Sequence, residues 1–164
     1  MENIQWMYGH EPKSLSDEWK KRIQTMFLRE TGEEYSFQSI SALLIPEWGG
    51  NMLLIDQNLY PAAESLLGLL WALPHEMDGV RVAAFVLDSK YQSCGWGGKA
   101  WEHLIEISRK DGKVSIQLEV KAENVRAQEF YKARGLTVIR PLENYYKSGL
   151  GYEMKGRIEA SQIE

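Results

Sequence analysis

Hydrophobic positions along the chain follow two different periods, and each period predicts a different kind of element. Residues 14–30 place apolar side chains at helical spacing, with Ile23 and Phe27 on one face, and so predict an amphipathic helix. Residues 114–120 alternate apolar with polar side chains, beginning with Val114 on the apolar side, which is the pattern of a strand with one buried face. Helices and strands are therefore both expected.

The full pattern predicts a fold with separate runs of strands around a central strand–helix–strand–helix unit. Strands are predicted at residues 3–8, 64–73, 80–87, 114–120, 136–141 and 152–158, and residues 48–57 are predicted to form a turn followed by a strand. Helices are predicted at residues 14–30, 36–45, 99–110 and 125–134. The three consecutive strands before residue 88 indicate an antiparallel meander. This order of elements favours the α+β class over an all-parallel sheet.

Composition narrows the class of protein. The 164 residues, 44% of them apolar and 26% charged, are typical of one globular domain, so residues 1–164 are expected to fold together. The formal net charge of -4 argues against a general nucleic-acid binder. The single cysteine, Cys94, excludes an internal disulfide. Residues 1–14 lack the layout of a signal peptide, and the longest apolar stretch, at residues 65–73, is too short to span a bilayer. A cytoplasmic protein without a membrane partner is expected.

A glycine-rich loop, YQSCGWGGKAW at residues 91–101, lies between a predicted strand and a predicted helix. Free N–H groups and the positive end of the dipole make such a helix start an anion-binding position. A nucleotide P-loop is excluded here, because Ser93 stands where its first glycine belongs and Ala100 where its magnesium-binding hydroxyl belongs.

Two other motifs fit the same loop. The dinucleotide pattern G-x-G-x-x-G/A is satisfied by Gly95, Gly97 and Ala100, with Glu119 at a suitable distance for binding ribose. Residues 88–94, however, separate these glycines from the strand that they should follow directly. The alternative is Q-x-x-G-x-G, beginning at Gln92, and a tight helix entry without a ligand would also use such glycines.

Residues 118–135, LEVKAENVRAQEFYKARG, carry a more specific pattern. They resemble the L-E-V-x-x-x-N-x-x-A-x-x-x-Y-x-x-x-G signature of the GCN5-related N-acetyltransferase (GNAT) family, whose acetyl-CoA loop the Q-x-x-G-x-G motif also resembles. Residues 143–154, ENYYKSGLGYEM, resemble the β6–β7 segment of the branch that acetylates protein N-termini, especially the ribosomal-protein alanine acetyltransferases. The order of elements matches the family from residue 3 to residue 158, while the residue-level resemblance covers about residues 80–154.

The resemblance implies a GNAT fold, in which a mixed, mostly antiparallel twisted sheet of about seven strands is flanked by about four helices. Its fourth and fifth strands are splayed, so that the pantetheine of acetyl-CoA lies along the edge of the fourth strand. The residues that the resemblance assigns to cofactor binding are Leu87, Gln92, Ser93, Cys94, Gly95, Trp96, Gly97, Gly98, Lys99, Asn124 and Tyr131.

The resemblance also implies the catalytic roles. Glu119 matches the family's glutamate near the acceptor amine and would act as general base, and Tyr131 matches the tyrosine that protonates the leaving thiolate. Asn124 would bind pantetheine as well as cap its helix. Tyr145 and Tyr146 would line the groove for a peptide substrate. The alternatives are a solvated strand glutamate, a core aromatic at Tyr131 and a packed aromatic pair at the two other tyrosines.

The expected function is acetyl-CoA-dependent transfer of an acetyl group to a primary amine by direct attack, the amine being a protein or peptide N-terminus. Cys94 is not favoured as an acetyl carrier, because no base is paired with it in the sequence. No spacing of histidines or carboxylates suggests a metal. The alternatives are a small-molecule amine acetyltransferase and a non-catalytic acyl-CoA-binding module. A monomer or homodimer is expected.

Overall fold

The computed structural model describes residues 3–42, 45, 47–146 and 149–159, with only the backbone of residues 145 and 146. The seven strands are β1 Ile4–Tyr8, β2 Met52–Asp56, β3 Leu66–His75, β4 Gly79–Leu87, β5 Ser115–Lys121, β6 Thr137–Tyr146 and β7 Gly149–Arg157. The four helices are α1 Asp17–Thr31, α2 Phe37–Ser41, α3 Trp96–Lys110 and α4 Val125–Lys132. Within the described residues, no helix combines the length and the apolar character needed to cross a membrane.

The strands form one mixed sheet in the order β1-β2-β3-β4-β5-β7-β6. The pairs β1–β2, β2–β3, β5–β7 and β6–β7 are antiparallel, whereas β4 and β5 are parallel. The parallel ladder joins Gly79–Val82 to Ser115–Leu118 and ends before the C-terminal end of either strand. The predicted α+β fold with splayed fourth and fifth strands is confirmed.

The chain clusters into two compact units. Unit 1 contains Met1–Ala72 and Ala84–Leu104, and unit 2 contains Leu73–Ala83 and Ile105–Glu164, so that β3, β4 and α3 contribute residues to both. In unit 1, β2 is buried on both faces, as Leu53 and Leu54 show with exposed fractions of at most 1%. Such burial explains the continuous apolar run in the sequence.

Helix α1 packs its predicted apolar face into unit 1. The helix begins after Ser16, whose hydroxyl accepts a hydrogen bond from the Trp19 backbone N–H, and it ends at Gly32, where φ is 73°. Ile23 and Phe27 are buried, and the Arg22 guanidinium donates to the Leu66 carbonyl at 3.0 and 3.2 Å. The amphipathic pattern therefore predicted both the helix and the side that it buries.

In unit 2, β5 buries alternate residues. Ile116 and Leu118 are buried, while Gln117 and Glu119 are half-buried on the opposite face. Val114 precedes the strand, which begins at Ser115, and its side chain is 50% exposed. The predicted position of Val114 on the buried face is therefore wrong.

Three predicted boundaries also need correction. Helix α3 begins at residue 96 and not at residue 99, because the glycines predicted as loop lie in its first turn. Helix α2 begins one residue later than predicted and runs from Phe37 to Ser41, where the Ala42 N–H bonds to the Gln38 carbonyl; the predicted helical residues 43 and 44 lie outside the described residues. Strands β6 and β7 extend into residues 142–151, which were predicted to connect them, through the pairs Leu142↔Gly151 and Tyr146↔Gly149.

Candidate active site

The glycine loop of unit 1 leads directly from β4 into the N-terminus of α3. After a short 3-10 turn at Ser89–Tyr91, the backbone takes positive φ angles at Ser93 (59°) and Gly95 (90°). The first described helical bond of α3 runs from the Lys99 N–H to the Gly95 carbonyl at 3.1 Å. The N–H groups of residues 96–98 lie ahead of this bond, where a helix offers donors and a positive dipole end to an anion.

Gly95 is required by the backbone conformation and not by lack of space. A Cβ atom at this position would meet nothing within 4 Å, yet a φ of 90° lies in the region that disfavours side chains. The neighbouring Cys94 is exposed, and its thiol lies 3.2 Å from the Gln92 carbonyl oxygen. The loop therefore turns tightly and leaves open space beside its glycine.

Gln92 was predicted to bind the cofactor, and its side-chain amide bonds within the protein. The amide nitrogen donates to the Leu87 carbonyl at 2.8 Å and lies 3.4 Å from Oε1 of Glu30. These bonds connect the end of β4 with the loop and with α1. They favour a supporting role for the Gln92 side chain beneath the loop, and its contact with a ligand stays a prediction.

Glu30 is a loop-supporting residue that the sequence did not reveal. Its carboxylate accepts the Ser89 backbone N–H at 3.1 Å and the Arg29 guanidinium at 3.0 Å, and its side chain is 9% exposed. Arg29 also pairs with Asp88 at 2.9 Å. An acidic side chain near a helix C-terminus opposes the helix dipole, and that mismatch was the one signal available in the sequence.

The first turn of α3 is fixed by aromatic contacts. The Trp96 carbonyl accepts a hydrogen bond from the indole N–H of Trp6 in β1 at 3.0 Å. The Lys99 ammonium lies 4.7 Å from the centre of the Trp96 ring, within the range of a cation–π interaction. Gly97 is buried and Gly98 half-buried. The loop thus carries a positive charge beside its backbone donors.

Glu119 of unit 2 lies in an ion pair that the sequence did not predict. Its side chain is 15% exposed, and the Nε atom of Arg81 in β4 donates to its two carboxylate oxygens at 3.1 and 3.2 Å. Its partner across the β5–β7 ladder is Glu153, which pairs with Arg140 at 2.6 Å. The predicted catalytic carboxylate is therefore held by a neighbouring cation.

Asn124 caps α4 as predicted. Its side-chain oxygen accepts the Ala127 N–H at 3.1 Å. Gln128 points inward from α4, with its amide donating to the Lys121 and Ala122 carbonyls at 3.1 and 2.8 Å, whereas Ala127 and Phe130 are half-buried. A buried glutamine that satisfies the end of a strand has no distinct sequence pattern.

Tyr131 is buried in α4, with an exposed fraction of 7%. Its ring meets Phe130 edge-on at 5.5 Å between centroids, and the Arg134 guanidinium covers Phe130 at 3.6 Å. The phenol is therefore anchored in a packed aromatic setting on the element that Asn124 caps. Tyr145 and Tyr146 lie in β6, but their side chains are outside the described residues, so their predicted roles stay predictions.

Comparison with known proteins places these residues in a family. The sequence model of the Acetyltransferase (GNAT) family matches residues 14–136, which is more than half of the chain. The chain belongs to the GNAT family. The matched range includes the glycine loop, Glu119, Asn124 and Tyr131, and the resemblance inferred from the sequence is confirmed.

Curated relatives match a shorter part of this GNAT chain. The Salmonella typhimurium "[Ribosomal protein bS18]-alanine N-acetyltransferase" is 31% identical over 77 residues, which are 47% of this chain and 52% of that protein. The Drosophila melanogaster "Probable N-acetyltransferase san" is 40% identical over 60 residues, which are 36% of this chain and 33% of that protein. The chain thus spans about a third to a half of the length of these relatives.

Solved structures share the fold over nearly the whole GNAT chain. Ard1 from Thermoplasma volcanium superposes with a TM-score of 0.74 at 22% identity, covering 95% of this chain and 98% of that chain. A chain of the NatC complex bound to Gag peptide and CoA superposes with a TM-score of 0.75 at 19% identity, covering 97% of this chain and 100% of that chain. At these identities the likeness establishes the fold.

Proposed function

We propose that this GNAT protein is an N-acetyltransferase that uses acetyl-CoA to acetylate a protein or peptide N-terminal α-amine. The observation that carries the proposal is the arrangement of β5 and α4. Glu119 lies on the polar face of the strand, Asn124 caps the following helix, and Tyr131 is buried within that helix. A base and an acid are thereby provided on consecutive elements of unit 2.

The glycine loop fits the pyrophosphate of acetyl-CoA. Backbone donors of residues 96–98 at the helix start, a cation at Lys99 and open space beside Gly95 are what an anionic ligand requires. Ser93 and Cys94 are exposed in the same loop and would contribute their backbone N–H groups. The bound acetyl-CoA would supply an acetyl group already activated as a thioester.

The residues of this chain would manage the protons of the reaction. The acceptor ammonium must lose a proton before the nitrogen can attack, and Glu119 would accept that proton, either directly or through a water molecule. As the C–S bond breaks, the Tyr131 phenol would donate its proton to the departing thiolate. The nitrogen that has attacked would lose its second proton to the resulting phenolate, directly or through water, so that the net proton released is the one on Glu119. No acetylated side chain is required, because the amine attacks the thioester directly.

The choice of a peptide acceptor is supported by two similarities. The bacterial relatives are named for the alanine of ribosomal protein bS18, and the NatC structure contains a Gag peptide. In this chain the tyrosine pair at Tyr145 and Tyr146 would line the groove for the first residues of such a peptide. A single GNAT domain over residues 1–164, acting in the cytoplasm as a monomer or homodimer, completes the proposal.

The test is release of CoA thiol from acetyl-CoA with a panel of acceptors. Short peptides that differ in their first residue are compared with the same peptides already acetylated at the N-terminus, and with polyamines and aminoglycosides. Release with the free peptides alone is the expected result, and mass spectrometry locates the acetyl group. Release with small amines alone would contradict the peptide assignment, and tight acetyl-CoA binding without release would favour a binding module.

A further inference from the structure

Four charged side chains form a row across neighbouring strands of unit 2. Glu119 in β5 and Glu153 in β7 are direct partners in the antiparallel ladder, and residues that face each other in this way lie on the same face of the sheet. Arg81 in β4 pairs with Glu119, and Arg140 in β6 pairs with Glu153. The row is therefore cation, anion, anion, cation.

The carboxylates of Glu119 and Glu153 repel each other, and the arginines at the two ends of the row compensate for this repulsion. Like charges directly opposite in a sheet are destabilising. Both glutamate side chains are only 15% exposed, so water screens them incompletely. A glutamate at position 119 with no cation on its β4 side would rotate away from Glu153, because its side chain has three rotatable bonds.

Arg81 opposes that rotation. Its Cα partner on β5 is Gln117, two residues before Glu119, so its guanidinium reaches the carboxylate diagonally. The Nε atom lies 3.1 and 3.2 Å from the two oxygens of Glu119 and bridges them. The Arg81 side chain is itself 30% exposed, and a partly buried, charge-assisted contact of this kind holds one orientation of the carboxylate.

We infer that Arg81 is the positioning residue for the catalytic carboxylate of Glu119. The inference rests on the proposed function, because it concerns the base of that reaction. Arg81 would act through Glu119 and would not itself contact the acceptor. Loss of its guanidinium would leave the amine without a well-placed proton acceptor while the glycine loop of unit 1 stays intact.

A double-mutant cycle tests this role. Arg81→Met keeps the length of the aliphatic stem and removes the donors, and we expect kcat to fall about 10- to 100-fold, as misplaced catalytic groups produce. In a Glu119→Gln background the same substitution should change kcat less than about twofold, since the group that it positions is gone. Arg81→Lys should recover part of the lost rate because it restores a cation.

Three further measurements separate positioning from a general structural effect. The dissociation constant of acetyl-CoA, measured by calorimetry, and the KM for the acceptor peptide should stay within about twofold of wild type in Arg81→Met. The melting temperature reports whether the variant is folded. Arg109→Met is the matched control, since Arg109 pairs with Glu106 at 2.7 Å within the same unit and does not contact Glu119, and its kcat should equal that of wild type.

The outcomes distinguish the positioning role of Arg81 from the proposed acetyltransferase function. Equal losses of kcat from Arg81→Met in both backgrounds would overturn the positioning role while leaving the acetyltransferase proposal in place. An equal loss of kcat in Arg109→Met would also overturn the positioning role, because it would identify a general effect of removing an arginine. A wild type that releases no thiol with any acceptor, or a Glu119→Gln variant with unchanged kcat, would overturn the assigned chemistry and with it this inference.

Discussion

At the scale of single residues, the predicted site residues of each unit contact side chains that are distant in sequence. Glu119 was recognisable from its motif, but Arg81 lies 38 positions away and nothing in the pattern of β4 distinguishes it from an ordinary strand arginine. The contact between Glu30 and Gln92 was equally hidden in the sequence, because these residues lie 62 positions apart. Local sequence patterns indicated candidate reactive groups, whereas the contacts that support those groups depend on how the strands and helices are brought together.

Tyr131→Phe should separate catalysis from cofactor binding. The substitution keeps the buried ring and its edge-on contact with Phe130 and removes only the hydroxyl. We expect kcat to fall about 100-fold, because general acid catalysis contributes a factor of this order. Steady-state kinetics gives kcat, and calorimetry should show a much smaller change in the acetyl-CoA dissociation constant. Equal turnover in the two proteins would exclude the phenol as the acid.

A second prediction at this scale concerns His10. The Trp71 indole N–H donates to its Nε2 atom at 2.7 Å, and burial lowers the pKa of His10 from 6.5 to about 4. Between these pH values the unfolded chain binds a proton at this residue that the folded chain does not bind. The free energy of unfolding should therefore decrease as the pH falls from 6.5 to 4, by about 3 kcal/mol at most.

His10→Gln provides the comparison for that prediction. It removes the titrating group and keeps an oxygen that can accept the indole hydrogen bond of Trp71. Urea unfolding of both proteins at several pH values isolates the contribution of His10, since other titrating groups are common to both. Parallel curves between pH 6.5 and 4 would contradict the assignment of this stability to the half-buried imidazole of His10.

At the scale of elements, the α3 N-terminus shows where sequence patterns were sufficient and where they were not. The helix was predicted from its apolar spacing, but its start was placed three residues late because Gly97 and Gly98 are poor helix formers. In the structure they lie in the first turn. Strands β6 and β7 were shortened for a similar reason, because KSGLG at residues 147–151 has the composition of a connection.

Gly95→Ala tests the link between this helix start and cofactor binding. A methyl group at a φ of 90° should cost about 1–2 kcal/mol of stability, although it meets nothing within 4 Å. Relaxation of that strain would turn the backbone donors away, and we expect weaker acetyl-CoA binding by calorimetry. Gly112→Ala is the matched control, because Gly112 follows the other end of α3 with a φ of 76° and equally open space.

The two glycine variants should thus lose similar stability, but only Gly95→Ala should bind acetyl-CoA more weakly. If Gly112→Ala weakens acetyl-CoA binding as much as Gly95→Ala does, general destabilisation accounts for the effect. If neither variant changes the affinity, the glycine loop is not the binding element. Chemical unfolding of both variants gives the stability comparison that these interpretations require.

At the scale of the whole molecule, the order of elements predicted the α+β class, and the strand order β1-β2-β3-β4-β5-β7-β6 emerges only in the structure. A sequence pattern gives the buried face of a strand but not its neighbour. The parallel pair β4–β5 and the position of β7 between β5 and β6 depend on connections that periodicity does not specify. The family resemblance supplied the mixed sheet with splayed fourth and fifth strands, but not the order of the strands.

Ligand binding should raise the stability of the whole chain. A ligand at 100 times its dissociation constant contributes about 2.7 kcal/mol, which corresponds to a rise in melting temperature of several degrees for a protein of this size. We expect this shift with acetyl-CoA and with CoA, measured by differential scanning fluorimetry. Pantetheine lacks the pyrophosphate and should give little shift at the same concentration. An equal shift with pantetheine would argue against recognition through the phosphates.

Cys94 has a practical consequence for these experiments. It is the single cysteine of the chain, it is exposed, and it lies in the loop that we expect to contact acetyl-CoA. A thiol-reactive dye in the release assay would therefore label one position per molecule and add a constant background proportional to enzyme concentration. The same chemistry provides a footprint without mutagenesis, because a bound ligand should slow alkylation of this thiol in a manner that saturates with concentration.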